Sequence, residues 1–342
     1  MQVLFLFFYY FSSSSLLHGI IGLSLRKKGT LMPSHAIKEF AKTLHLDAVG
    51  IAPPVLPLPP SAYKQSPLCP LAAGIGEERY QPRRLLPSCK SVIVVLFPYY
   101  TGIPEDSNLS LYCRSLDYHA IVHTYLNKLI AFLKNIAPGV ETKALIDTSP
   151  LDDRWLAYQS GLGFFGDNHC FINDRYGSYC FIGSILTSLP LRADKPLEET
   201  CLHCGQCHAR CPGGCFHDGL YEYGRCKSFL TQKKGSLSLP ELTIIQQTPL
   251  VFGCDECQRH CPHNQGIWKT PLPEFYENRL LRLEPEDICH LSNRQFQSQY
   301  GDRAFAWRGK KILLRNFDAI NGTLEAEPRH EGDDGHRNIQ EK

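Results

Sequence analysis

The sequence has almost no net charge, because 36 basic side chains are offset by 34 acidic ones, which leaves +2. A strong global positive field is therefore absent, and any nucleic-acid binding would have to come from a local patch. A membrane-spanning run is lacking too, since serines at 12–15 interrupt the aromatic stretch Val3 to Phe11. With 43% hydrophobic and 20% charged residues, the composition is that of a protein that folds in water.

Methionine is scarce as well, and both methionines lie near the start, at Met1 and Met32. Residues 1–31 contain no acid, and their basic residues follow the apolar stretch, the reverse of a secretory signal. An amphipathic pattern begins directly after Met32. We interpret residues 1–31 as an unstructured extension or the product of a misplaced start, with a membrane anchor as the alternative. Residues 321–342 have almost no apolar residues, which predicts a mobile tail.

The length of 342 residues suggests about two domains. Val92 to Phe97 is an unbroken apolar run typical of a strand buried on both faces, and residues 143–146 are a weaker candidate. Helical spacing over residues 117–135 predicts a helix between them, and residues 153–160 predict a second. Residues 170–173 and 178–186 are predicted to form a hairpin.

These elements predict an α/β domain with a mixed sheet over residues 32–190. The composition then changes to cysteine, glycine and histidine, which predicts a ferredoxin-like domain over 191–275. We expect a helical segment over 276–320. The overall fold class is therefore predicted to be α+β.

Of the 15 cysteines, nine lie between residues 201 and 261. Cys201, Cys204, Cys207 and Cys211-Pro212 have the spacing C-x2-C-x2-C-x3-C-P of bacterial ferredoxins. In that run three thiolates bind one four-iron cluster and the fourth binds a second cluster. Cys254, Cys257 and Cys261-Pro262 repeat its last three positions, and Val251 stands where the first cysteine would be. The spacing therefore predicts two 4Fe-4S clusters with one ligand supplied from elsewhere.

In two-cluster ferredoxins the last cysteine of each run binds the cluster of the other run. The first cluster is therefore assigned Cys201, Cys204, Cys207 and Cys261. Cys211, Cys254 and Cys257 then need one more ligand, either Cys226 or Cys215. We favour Cys226, because Cys215 lies only four residues beyond Cys211 in the loop after the proline. Zinc is the alternative metal, but the proline-ended quartet has no special purpose in a tetrahedral zinc site. The other six cysteines are interpreted as buried apolar residues.

A dicluster ferredoxin needs only residues 201–265, whereas about 160 residues precede them. This excess favours a redox enzyme, in which electrons are fed to a reactive centre on the first domain, over a free electron carrier. The carrier stays as the alternative. Asp117-Tyr118-His119 lacks the later glycine of a D-x-H-x-x-G cobalamin motif.

Several further segments, taken in order, carry a family resemblance over residues 33–320. They are Arg79-Tyr80-Gln81-Pro82, Leu85-Leu86-Pro87, Asp117-Tyr118-His119, Asp147-Thr148-Ser149-Pro150 to Gly161-Leu162-Gly163, Gly177-Ser178, and Gly253-Cys254-Asp255-Glu256-Cys257-Gln258 with Cys261-Pro262. Together with the cysteine runs, they make the sequence resemble the epoxyqueuosine reductases. These enzymes use iron-sulfur clusters and cobalamin to complete queuosine in tRNA.

The resemblance implies a cobalamin held base-off beside the first cluster, with no protein histidine on cobalt. It implies two one-electron deliveries that remove the epoxide oxygen as water, and Cys226 as the outlying cluster ligand. It also implies that Asp147 donates a proton to the epoxide oxygen, which would require a pKa raised by an apolar site. Without the family, an aspartate before Thr-Ser-Pro is typical of a turn residue. The implied cobalamin contacts are Arg79, Phe171, Asn173, Ile182, Cys254 and Asp255.

The chain departs from the family pattern at Asp167, where the family typically has lysine, and at Cys215, where it has alanine. The helical-repeat extension of longer members is absent, so tRNA would dock on the remaining surface. Basic residues without intervening acids, at Arg303, Arg308, Lys310, Lys311 and Arg315, are candidates for phosphate contact. Lys233 and Lys234 form a weaker candidate, and a solvated helix face is the alternative explanation.

We therefore expect a cytoplasmic, monomeric oxidoreductase that reduces epoxyqueuosine to queuosine in tRNA. Electrons would pass from an unidentified donor through two 4Fe-4S clusters to cobalamin, without a membrane partner. A corrinoid reductase of a small molecule and a ferredoxin-type electron carrier are the alternatives.

Overall fold

The computed structural model describes residues 33–60, 68–103 and 106–324. The predicted extension over 1–31 and the predicted tail beyond residue 324 lie outside these ranges. The described chain combines helices with small antiparallel sheets, so the α+β class is confirmed. Within the described ranges, none of the helices has the length and apolarity needed to cross a bilayer.

The first part of the chain is built on a four-stranded sheet. Its strands are β1 (Val49–Ala52), β2 (Ser91–Pro98), β3 (Thr142–Ile146) and β6 (Cys180–Thr187), in the order β1-β2-β6-β3. Every neighbouring pair in this sheet is antiparallel, with Val95 opposite Val49 and Gly183. The prediction of a mixed sheet is therefore wrong. The two predicted strands do run parallel, but β6 lies between them and pairs with both.

Strand β2 is buried along its whole length, as its apolar run predicts. Ile93, Val95 and Phe97 pack on one face against helices α1 (Pro33–Thr43) and α2 (Tyr118–Ile136). The alternate residues of β2 pack on the other face against α3 (Asp153–Gln159). Because successive side chains of a strand point to opposite faces, a strand covered on both sides must be apolar throughout.

Helix α2 is the long helix predicted between the two strands. Its N-cap is Asp117, whose side chain accepts a hydrogen bond from the backbone amide of His119. The helix lies close on the sheet because Gly183 has no side chain: a Cβ there would lie 2.8 Å from Val122 Cγ1. This close packing sets the first turn of α2 beside the end of β3.

The predicted hairpin forms only at its turn. Asn173 and Gly177 make an isolated bridge, but the two arms separate. Strand β5 (Phe171–Ile172) pairs with β4 (Phe164–Phe165), whereas β6 enters the main sheet. The prediction of a simple hairpin is therefore wrong, because β6 pairs along eight residues with β2 and leaves β5 to a local partner.

The segment Gly161 to Gly166 has the spacing G-x-G-x-x-G of a dinucleotide-binding loop. In that loop the glycines follow a strand and open a helix. Here they follow helix α3 and lead into β4, which is the reverse order. The spacing therefore does not indicate a dinucleotide site.

The second part of the chain consists of short elements around the cysteine runs. They are α4 (Gln206–Ala209), β7 (Phe216–His217), β8 (Leu220–Tyr221), α5 (Lys227–Leu230), α6 (Leu239–Gln246) and α7 (Glu256–Arg259). The chain then ends in α8 (Pro285–Ile288), α9 (Asn293–Tyr300) and α10 (Lys310–Ile320), with a 3-10 turn at Ala304–Arg308. A third apolar core joins Leu109 and Cys113 to Phe252, Phe305 and Leu313.

Candidate active site and metal centre

The four cysteines assigned to the first cluster line a single cavity. Cys201, Cys204, Cys207 and Cys261 face it from two distant parts of the chain. They meet because helix α4, which follows the second cysteine, packs against α7, which carries Cys257 and precedes Cys261. Two cysteine loops thus converge on one small space, as the exchange of fourth cysteines requires.

Three further thiols, those of Cys211, Cys215 and Cys226, form a second group. The sulfur atoms of Cys211 and Cys215 are 3.3 Å apart, and Cys215 is fully buried. Side-chain hydrogen bonds with Cys215 lower the pKa of Cys211 and of Cys226 to about 6. The pKa of Cys215 itself is raised. Thiolate is the form that binds metal, and these three neighbouring thiols are the candidates for the ligands that complete the second cluster.

Cys254 and Cys257 approach this group from the second run. The loop before them turns at Gly253, whose φ of +76° favours glycine. Cys170 adds a thiol here, because the Cys257 thiol donates a hydrogen bond to it and lowers its pKa. Cys170 was predicted to be only a packing residue, and its contact with a predicted ligand is a difference from that interpretation.

The donor set fits iron-sulfur clusters. All 15 cysteines lie in the described part of the chain and all are free thiols. Two sets of soft sulfur ligands in ferredoxin spacing suit four-iron clusters. Lys227 is a further feature near this set: its ammonium group is buried and donates to the backbone carbonyls of Ile245 and Thr248. Burial lowers its pKa to about 8.

Asp147 lies directly after the edge strand β3 with a positive φ of +50°. Its Oδ2 atom accepts a hydrogen bond of 2.5 Å from the Tyr118 hydroxyl. His119 Nε2 lies 3.5 Å from the same oxygen, and His119 Nδ1 lies 2.7 Å from Asp117. The Asp147 side chain is 62% exposed. Residues from the first turn of α2 therefore hold an accessible carboxyl group in place.

The two acids around His119 set its charge. The hydrogen bond to Asp117 and the nearby Asp147 carboxylate raise the pKa of His119 to about 9, so the ring is an imidazolium at neutral pH. The nearby His119 ring and the hydrogen bond from Tyr118 in turn lower the pKa of Asp147 below its ordinary value. The structure contradicts the expectation that an apolar site raises this pKa. Here the neighbouring hydrogen-bond donors outweigh desolvation.

A second carboxyl group lies next to Asp147. Asp153, at the start of α3, accepts a hydrogen bond from the Asp147 backbone amide, and burial raises the pKa of Asp153 well above the usual range. Its Oδ1 atom is buried and has no hydrogen-bond partner among the residues that the structure describes. A buried polar atom without a partner is costly, and this one is therefore ready to accept or donate a hydrogen bond to a bound group.

The predicted cobalamin contacts lie at several places. Arg79 makes a 2.9 Å ion pair with Asp152, the N-cap of α3, and both side chains are largely buried. Phe171 and Ile182 pack against the core on the α3 side of the sheet. Asn173 is used inside the turn, where its amide donates to the carbonyl of Leu162.

Asp255 is buried and joins the two parts of the chain. Its carboxylate accepts hydrogen bonds from the Ser110 hydroxyl at 2.5 Å and from the Leu111 amide at 2.8 Å. Asp255 follows Cys254 and precedes α7. The loop that carries the second cysteine run is thereby fixed to the segment that leads into α2.

The substitution at Asp167 has a partner that the sequence did not indicate. Asp167 lines the cavity of the first four cysteines, and its Oδ1 atom lies 2.9 Å from His203 Nδ1. The ligand atoms of Asp167, Cys201 and His203 lie within 4.8 Å of one another. His203 is 70% exposed, so this is a surface contact at the mouth of the cavity.

Several of the basic residues predicted to contact RNA bind other parts of the protein instead. Lys233 pairs with Glu241 at 2.7 Å, and Lys310 donates to the carbonyls of Cys289 and Leu291. Arg315 donates to carbonyls at the end of α5 and beyond it. Lys234 and Lys311 are exposed, and the Arg308 guanidinium stacks 3.7 Å above the Trp307 ring.

Sequence reasoning missed the roles of Tyr118, His119 and Asp153. The first two belong to a segment that lacks the glycine of a cobalamin motif and that carries part of the family resemblance, and no pattern links them to Asp147, which is 29 residues beyond Tyr118. Asp153 carried no signal at all, because an aspartate in the first turn of a helix is ordinary.

Two family models match the chain. One, described as epoxyqueuosine reductase QueG, DUF1730, matches residues 79–148. The other, a 4Fe-4S double cluster binding domain, matches residues 200–264. The segment with the two cysteine runs is thus an iron-sulfur domain with two clusters. The zinc alternative is not supported.

Similar proteins carry the same description. The chain is 34% identical to the epoxyqueuosine reductase of Bacillus cereus over 258 residues, which cover 70% of this chain and 66% of that protein. It is 31% identical to the epoxyqueuosine reductase of a Synechocystis species, of which it covers 86%. The match thus spans just under two thirds of the Bacillus protein and most of the Synechocystis protein.

A solved structure is also similar. It is a crystal structure of an epoxyqueuosine reductase with an epoxyqueuosine-modified stem loop of tRNA-Tyr. The TM-score is 0.76 with 27% sequence identity, and the match covers 85% of this chain and 81% of the other.

Proposed function

Because this chain belongs to the epoxyqueuosine reductase family, we propose that it reduces epoxyqueuosine to queuosine in tRNA. One observation of the structure carries the proposal. An accessible carboxyl group, Asp147, is held by two proton-bearing side chains on the same body that carries the double-cluster domain. Ring opening of an epoxide needs both electrons and a proton for the leaving oxygen, and this arrangement offers a source for each.

For the clusters, we propose Cys201, Cys204, Cys207 and Cys261 as one ligand set and Cys211, Cys226, Cys254 and Cys257 as the other. The first set is supported by the cavity that its four thiols line. The choice of Cys226 over Cys215 rests on the short spacing between Cys211 and Cys215 and on the family resemblance. When bound, the clusters would supply single electrons.

A cobalamin is the second cofactor that we propose, close to Asp147 and the cluster domain. This proposal is supported by the buried Oδ1 atom of Asp153, which has no partner among the described residues and could bind a polar side chain of the cofactor. The proposed contacts remain Arg79, Phe171, Asn173, Ile182, Cys254 and Asp255, several of which already have protein partners and would contribute shape rather than new hydrogen bonds. When bound, cobalamin would supply the strong reductant that the epoxide requires.

Asp147 is the proposed proton donor to the epoxide oxygen. In the protein alone its carboxyl group is ionised at neutral pH, so it must first gain a proton. The hydroxyl of Tyr118 and the imidazolium of His119 both contact Oδ2 and bear protons. Bound substrate would exclude water from the site, and this would disfavour the ionised carboxylate. Transfer of one of these protons to Asp147 would then become more favourable.

The proposed tRNA-binding surface includes Arg308, Lys234 and Lys311. These three residues form no ion pair with an acidic side chain among the described residues. Lys233 and Lys310 would contribute only if their present contacts break. The oligomeric state, the electron donor and the cellular compartment stay as predictions: a monomer, an unidentified reductant and the cytoplasm.

The test is replacement of Asp147 by asparagine in the enzyme loaded with both cofactors. We expect Asp147→Asn to keep the iron content and the cobalamin spectrum of the wild type but to lose turnover by at least about 100-fold, since general acids contribute about 10²–10⁴-fold. Turnover is measured by digestion of tRNA and mass spectrometry of the nucleosides. Asp174→Asn is the control, because this exposed turn aspartate lies outside the proposed site. Unchanged turnover of Asp147→Asn would remove the proposed acid.

A further inference from the structure

A groove beside the edge strand β3 adjoins the proposed proton donor, and none of the residues proposed to hold a cofactor lines it. Its accessible volume is about 660 Å³, which lies within the usual range of about 300–1,000 Å³ for ligand sites. Its walls come from Leu85, the exposed side of α2 at His119 and His123, strand β3 from Lys143 onward, and the loop from Thr148 to Pro150.

We propose that this groove binds the sugar-phosphate backbone of the RNA next to the nucleotide being reduced. The inference rests on the proposed function and assigns a surface to its substrate. The expected occupant is an RNA strand, because the groove combines a basic side chain, Lys143, with an apolar floor.

Lys143 is the group in the groove that favours an anion. The groove is also lined by His119 and His123, and no acid lines it among the described residues. His119 contacts two acids, Asp117 and Asp147, which offset its charge. Lys143 makes only one long contact, 3.5 Å to the carbonyl of Leu85, so its ammonium group is available. Phosphate groups are the anions that RNA presents to such side chains.

The remaining lining suits a ribose. Ala120, Ala144, Ile146 and Pro150 provide an apolar floor, and Thr148 and Ser149 add hydroxyl groups. As the edge strand of the described sheet, β3 also has unpaired backbone groups along its outer side. Proteins commonly recognise single-stranded RNA by such mixed contacts with sugars, phosphates and unstacked bases.

The groove is also continuous with the proposed site. Ile146 and Thr148, the two residues that flank Asp147, both line it, and so does His119, which contacts the Asp147 carboxylate. Lys143 lies four residues before Asp147, about 13 Å along an extended strand. A strand of RNA along β3 would therefore lead directly to the proton donor.

The test measures binding of a synthetic anticodon stem-loop RNA to the full chain with its clusters loaded, by fluorescence anisotropy over a range of salt concentrations. The variant is His123→Gln with Lys143→Gln. The matched control is His35→Gln with Lys134→Gln, which removes the same residue types from exposed positions outside the groove.

We expect the groove variant to raise the Kd about tenfold and to reduce the slope of log K against log salt by about 1, the value for loss of one phosphate contact. The control should change the Kd less than twofold. If the wild type binds RNA and both variants bind equally well, the groove proposal is wrong while the proposed function stands. If the wild type itself does not bind the stem loop, the proposed RNA substrate fails first.

Discussion

The contact between His119 and Asp147 makes a quantitative prediction about the pH dependence of the proposed reaction. Asp147 can donate a proton only while it is protonated, so the rate should fall as the pH rises through its pKa. The His119 imidazolium favours the ionised carboxylate and lowers that pKa. Replacement of His119 by glutamine removes this charge and keeps a polar side chain of similar reach. The falling limb of the profile should therefore move to higher pH.

The size of the shift follows from the distance and the exposure. Two unit charges about 4 Å apart interact by about 4 kcal/mol near a protein surface and by about 1 kcal/mol in bulk water. His119 Nε2 and Asp147 Oδ2 are 3.5 Å apart, but the aspartate side chain is 62% exposed, which places the pair near the aqueous limit. An interaction of about 1–1.5 kcal/mol corresponds to a shift of about one pH unit.

The assay is the single-turnover rate of the loaded enzyme on modified tRNA, measured from about pH 3 to 9 so that the lowered pKa of Asp147 falls inside the range. For His119→Gln we expect the midpoint of the falling limb to rise by about one unit, with the rate retained at low pH. Tyr118→Phe removes an uncharged donor to the same oxygen and should shift the midpoint in the same direction by less. A midpoint that does not move would refute the electrostatic argument. Loss of turnover at every pH would instead identify His119 as the donor.

Two further predictions concern the cluster domain. Cys226→Ala should lose about half of the bound iron while Cys215→Ala keeps all of it, as measured by iron and sulfide analysis; equal losses would contradict the assignment of Cys226. Gly253→Ala should lower stability by about 2–4 kcal/mol, because φ is +76° and the new Cβ would lie 2.4 Å from Ser110 Cβ. Gly219→Ala is its control, since φ is +74° there but nothing lies within 4 Å, and it should cost about 1–2 kcal/mol in thermal unfolding. Equal losses in the two variants would exclude the steric clash.

The parts of the fold that the sequence predicted are those with a local signal. Strand β2 is apolar along its whole length because both of its faces are covered. Helix α2 has both an apolar stripe and an N-cap at Asp117. The pairing of β5 and β6 had no such signal, because any apolar segment near the turn satisfies a hairpin pattern. Strand β6 pairs along its whole length with β2 in the main sheet, and this pairing excludes a hairpin with β5.

The candidate site likewise has a part that the sequence predicts and a part that it does not. The cysteine runs are visible because cluster ligation fixes the spacing of residues along the chain. The setting of Asp147 is not visible, since it depends on how α2 packs against β3. The destinations of the basic side chains are equally hidden: Lys310 and Lys311 are neighbours in sequence, yet one caps a helix end with its ammonium group and the other is exposed.

The attachment of the cluster loops to the first part of the chain explains how two cofactor sites and one carboxyl group keep their relative positions. Asp255 binds Ser110 and Leu111, a few residues before α2, and the Asn168 amide donates to the carbonyl of Cys257. Ser178 binds Asn264, three residues after Cys261.

Each of these polar groups would be left buried without a partner if the cluster loops shifted, at a cost of about 1–3 kcal/mol per group. Apolar packing alone tolerates small displacements of this kind, whereas hydrogen bonds at 2.5–3.3 Å do not. Because α2 also carries the two side chains that hold Asp147, the same contacts link the second cysteine run to the proposed proton donor. Electron delivery and proton donation would thus share one rigid frame.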